Sequence, residues 1–119
     1  MSDELAVLDN SVLDELRASV GDDEAFIRDL IETYLAEGPQ HMEQIAAAAA
    51  RADAEAIVRP AHTLKSSSAA LGAARLSAIS RQIEFAGREG RVADLAALAG
   101  QAQTAWADTV TALKEAGLA

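Results

Sequence analysis

Apolar side chains recur at steps of three and four along almost the whole chain, and the breaks fall at glycine, proline and aspartate. Leu8, Val12, Leu16 and Val20 mark a first short helix, with Asn10 or Ser11 as its cap and Gly21 as its stop. Asp22 then caps a second helix whose first turn is acidic (Asp23, Glu24), as the helix dipole favours. Its apolar stripe is Phe26, Ile27, Leu30, Tyr34 and Leu35. Gly38-Pro39 interrupts that stripe but leaves too few residues for a loop, so the pattern predicts a kinked helix running on through Met42 and Ile45 to about Arg51.

Asp53 caps a third helix running to about Leu71 and closed by Gly72. A fourth spans roughly Ala74 to Arg88 on Leu76, Ile79 and Ile83, with Gly87 and Gly90 near its end. The last runs from Val92 to about Ala116 on Val92, Leu95, Leu98, Ala102, Trp106, Val110 and Leu113. Short connections imply antiparallel neighbours. The predicted fold is all-α, an antiparallel up-down four-helix bundle with a short additional N-terminal helix, and residues 1–119 form a single domain.

Composition sharpens this picture. The chain has no cysteine, which excludes disulfides and thiolate metal sites. The acidic start, Met1 to Leu5, is no secretory signal, and the alanine run from Ala46 to Ala50 is far too short to cross a bilayer. A cytoplasmic protein without membrane association is the expectation. A net charge of −9 argues against nucleic acid, whose phosphates demand a basic footprint. The charge is uneven, however. Between Arg59 and Arg91 stand six bases and two acids, a local +4 inside a chain that carries −13 elsewhere. That block is either a chance cluster on solvated faces or a docking region for an acidic or phosphorylated partner.

His62 lies inside the positive block, in the run Ala61-His62-Thr63-Leu64-Lys65-Ser66-Ser67-Ser68-Ala69-Ala70-Leu71-Gly72. Ile57, Ala61, Leu64, Ser68 and Leu71 form the core stripe of the third helix, and His62 falls roughly 140° from its centre. The ring should therefore be exposed, with Glu55, Val58, Arg59, Lys65, Ser66 and Ala69 around it and short side chains beyond. Pro60 removes one backbone bond and should kink the helix just before it. A lone exposed histidine is usually inert, and His41 has no ordered set of neighbours. Other chemistries lack their patterns: there is no Glu-x-x-His pair for a di-iron bundle, no Ser-x-x-Lys and no glycine-rich phosphate loop.

The stretch from His62 to Ser68, with Leu71-Gly72, resembles the signature of histidine-containing phosphotransfer (HPt) domains, the helical carriers of multistep phosphorelays. The Gly21-Asp22-Asp23 helix start, the acidic long helix, the Gln82-Ile83-Glu84 segment and the closing amphipathic helix fit the same likeness. It implies that His62 is the phospho-accepting nucleophile and that Lys65 helps to hold the phosphoryl oxygens. Glu84 falls where the family usually has a glutamine or glutamate bonded to the imidazole, fixing the proton on Nδ1 and freeing the Nε2 lone pair. Periodicity alone makes Glu84 an ordinary surface acid. Ser66 stands where the family most often has glycine, and its hydroxyl adds little bulk.

The resemblance further implies reversible transfer between His62 and receiver-domain aspartates of a hybrid histidine kinase and a response regulator. Val58, Arg59, Ser66, Ala69, Ala73 and Arg81 would supply the partner-binding face. Histidine's ordinary pKa of about 6.5 leaves much of it neutral for attack. The chain has no ATP-binding sequence, so it is expected to carry phosphate rather than act as a kinase. It needs no cofactor or metal of its own, and Mg²⁺ would come with the receiver. An exposed reactive face suits a monomer, and an end soon after the last helix suits a free-standing carrier. Two alternatives stay open: a non-catalytic helical module that binds receivers, and the phospho-accepting domain of a chemotaxis-type histidine kinase.

Overall fold

The computed structural model describes residues 5–119; the acidic start, Met1 to Glu4, lies outside the described residues. Five helices follow in order: α1 (Asn10–Ser19), α2 (Glu24–Ala50), α3 (Ala54–Leu71), α4 (Ala74–Arg88) and α5 (Val92–Glu115). Helix α2 packs on α3 and α5, and α4 packs on α3 and α5, which closes a four-helix bundle; α1 lies against α3. The fold class and the helix order are those the apolar spacing predicts.

Two caps differ from the expectation by one residue. Asp9, not Asn10 or Ser11, caps α1: its Oδ1 accepts the Ser11 backbone N–H at 3.0 Å. Asp23, not Asp22, caps α2 through the Phe26 N–H at 3.1 Å, while Asp22 takes a left-handed turn conformation at φ 59°. Tertiary contact selects Asp9, because its N–H donates to the Gly72 carbonyl at 2.6 Å and pins the start of α1 to the end of α3. Gly72 is itself left-handed (φ 84°), and a Cβ there would lie 2.7 Å from the Asp9 oxygen. Glycine thus serves both the helix stop and the close approach.

Helix α2 runs unbroken past Gly38-Pro39. Gly38 is buried, and a Cβ at that position would overlap the Trp106 indole of α5. Trp106 also meets Tyr34 with ring centroids 5.3 Å apart. The Tyr34 hydroxyl shares a buried 2.8 Å hydrogen bond with Ser68 of α3. Burial pushes the Tyr34 phenol up to about 12, so it stays neutral and joins three helices. Helix α3 likewise continues through Pro60, and its buried positions include the predicted Ile57, Ala61, Leu64, Ser68 and Leu71.

Other stripe positions shift. Phe26 and Val92 were expected in the core and are 47% and 45% exposed; the helix register turns Ile27, next to Phe26, and Leu95, three residues after Val92, inward in their place. In α5 the buried line runs through Ala99, Ala105 and Thr109, with Leu98 and Val110 only half-buried. Thr109 tolerates burial because its hydroxyl donates to the Ala105 carbonyl at 2.7 Å. Alanines at this seam let the helices approach closely.

Candidate functional site

The α3 register that buries Ala61 and Leu64 turns His62 outward, and its side chain is 55% exposed. Helix α4 brings Glu84 up beside it. Glu84 is nearly buried, and it can be because both of its oxygens meet donors from basic side chains. His62 Nδ1 lies 3.0 Å from Glu84 Oε2, and Lys65 Nζ donates to Oε1 at 2.7 Å. Arg88, one turn further along α4, donates to Oε2 from Nη2 at 2.8 Å and from Nε at 3.2 Å.

These donors hold the Glu84 carboxyl down at about 2, with the Lys65 hydrogen bond the largest cause and Arg88 and His62 adding to it; partial desolvation opposes them. An ionised carboxylate can only accept. The proton between them therefore resides on His62 Nδ1, and in the uncharged form of the ring the lone pair is on Nε2.

Close contact between α3 and α4 makes this geometry possible. A Cβ on Gly87 would sit 2.8 Å from both the Ile57 side chain and the Ala54 carbonyl. Glycine at that position lets α4 lie against α3, one turn beyond Glu84. Ser77 of α4 adds a further tie, donating its hydroxyl to the Lys65 carbonyl at 3.0 Å.

The residues expected to surround His62 fall into distinct places. Val58 and Arg59 line a shallow recess shared with Gly87 and Arg88. Lys65, Ala69 and Arg81 line a broader groove that crosses α4 to α5 and includes Phe85. Ser66 is exposed on α3 beside Lys65. Ala73 is a correction: it is fully buried and cannot offer surface to a partner. The left-handed Gly72 reverses the chain, the Ala73 N–H turns back to the Ser68 carbonyl at 2.8 Å, and the methyl packs into the core. Arg88 is the site residue that sequence reading missed. Its signal was there, since an acid four residues ahead of a base on one helix face is a favoured pair.

Among the described residues no helix is long and apolar enough to cross a membrane, and no cluster of three or more His, Cys, Asp or Glu could hold a metal ion.

Comparison with known proteins agrees with the geometry. No curated protein matches the chain. The histidine-containing phosphotransfer protein B (HptB) of Pseudomonas aeruginosa PAO1 has a similar solved structure, with a TM-score of 0.82 at 28% sequence identity over 92% of each chain. A family model described as Hpt domain matches residues 29–116, and with this match over most of its length the chain belongs to the Hpt-domain family, the histidine phosphotransfer proteins of phosphorelays.

Proposed function

We propose that His62 is the residue of this chain that carries the phosphoryl group, accepting it on Nε2 from a receiver-domain aspartyl phosphate and returning it to another. The observation that carries the reading is an exposed imidazole whose Nδ1 faces a carboxylate that two cations, Lys65 and Arg88, also bind. Such a ring has one nitrogen occupied and the other open to a protein surface.

In the transfer, the Nε2 lone pair attacks phosphorus in line with the acyl-phosphate oxygen. The N–P bond forms as the P–O bond breaks, and the receiver carboxylate leaves with the electron pair. The Nδ1 proton stays on the ring, whose developing positive charge faces Glu84. Lys65, three residues on along the same helix face, is placed to meet the phosphoryl oxygens. Mg²⁺ would be held by the receiver. Because the chain lacks an ATP-binding sequence, it acts as a carrier and not as a kinase. Receivers of a hybrid kinase and of a response regulator would dock over Val58, Arg59, Ser66, Ala69 and Arg81, with the protein a monomer in the cytoplasm.

Incubation with a phosphorylated receiver and Mg²⁺ tests this. The wild-type protein should gain acid-labile, alkali-stable label, and His62→Gln should gain none while keeping its helicity. An unchanged phosphate yield from the variant would refute the assignment.

A further inference from the structure

The two oxygens of Glu84 divide their partners unequally. Oε1 is taken by Lys65 alone, whereas Oε2 is shared by His62 and Arg88. Lys65 can therefore leave without disturbing the oxygen that orients the ring. Its departure has a cost unless Glu84 keeps another cation, since a nearly buried carboxylate beside an incoming phosphoryl dianion is strongly unfavourable.

We propose that Arg88 is a positioning residue that keeps Glu84 neutralised, so that Lys65 is free to move from Glu84 to the phosphoryl group during transfer. This inference rests on the phosphoacceptor role proposed for His62. The geometry assigns each cation a different task. Lys65 sits on α3 with His62 and carries a compact ammonium on a rotatable stem, so it can swing from Oε1 toward Nε2. Arg88 sits on α4 with Glu84, and its Nε and Nη2 both converge on Oε2. In that two-toothed grip it follows Glu84 rather than the ring. With the ring uncharged, as attack by its lone pair requires, the cluster of His62, Glu84, Lys65 and Arg88 carries one net positive charge. Without Arg88 it would carry none, and Lys65 would have to serve two anions.

The discriminating experiment is a double-mutant cycle on the full chain, using a phosphorylated receiver with Mg²⁺ and resolving the maximal transfer rate from the half-saturating receiver concentration. Arg88→Ala should lower the maximal rate about tenfold, the range of one charge-assisted contact, with little change in half-saturation. In a Glu84→Gln background the same substitution should change the rate by less than about twofold, because an amide has no charge to neutralise. Arg88→Lys should restore part of the wild-type rate. Equal losses in both backgrounds, or no loss in the wild-type background, would overturn the inference and leave the role of His62 standing. Failure of the wild-type chain to label on His62 would instead overturn both. Arg88 is 60% exposed at the end of α4, so its truncation should leave the fold intact, which circular dichroism of each variant checks.

Discussion

Glu84 Oε2 lies 3.0 Å from His62 Nδ1 across the α3–α4 seam, and the ring it binds is 55% exposed. Each end of this contact needs the other. The ring gains a fixed tautomer, and the carboxylate gains one of the donors that permit its burial.

The first consequence concerns pH. Glu84 is held at about 2 in the fold against an ordinary 4.5, so its ion pairs stabilise the protein fully above about 4.5 and are lost as pH falls toward 2. Its partners are partly exposed, and solvent screening reduces the contribution to the order of 1–2 kcal/mol. Urea unfolding of wild type and Glu84→Gln at pH 6, 4 and 3 should show the wild type losing the steeper share of its stability over that window. Parallel declines would remove Glu84 from the acid response.

A second prediction follows from Gly87. Alanine normally gains about 1 kcal/mol over glycine in a helix, but here its methyl would press on Ile57 and the Ala54 carbonyl. Overpacking costs about 1–3 kcal/mol, so Gly87→Ala should destabilise and should also push α4 away from His62. Denaturant unfolding and ¹⁵N spectra of the ring read the two effects. A more stable variant with an unchanged Nδ1–H signal contradicts the proposed spacing role.

Gly38 makes the same kind of contact with another partner. Gly38→Ala should displace the Trp106 indole, lower the unfolding midpoint by an amount corresponding to about 2 kcal/mol, and shift the tryptophan emission. Retained emission and stability would mean that the indole is not held against α2.

Much of this was legible from residue order. The spacing of Ile57, Ala61, Leu64, Ser68 and Leu71 fixes which face of α3 is buried, and hence that His62 points outward. Asp53 and Gly72 delimit that helix with residue types suited to those ends. Runs of adjacent capping residues were harder. Asp9, Asn10 and Ser11 can each cap, and only the tether from Asp9 to Gly72 decides among them. The burial of Ala73 depends on the chain reversal at Gly72, which spacing does not describe. The grouping of Glu84 with His62 and Lys65 depends on how closely two helices approach. That distance is set by Gly87, a residue that the pattern marks only as a break. Arg88 was visible as the favoured partner of Glu84 on one helix, but its place in the site appears only once Glu84 is placed against His62.

The most direct measurement is NMR of the phosphorylated protein with ¹⁵N-labelled histidine, which reports which ring nitrogen bears phosphorus. The expected result is ³¹P coupling to Nε2 of His62, with Nδ1 still protonated. Phosphorus on Nδ1, or on any residue other than His62, would contradict the account.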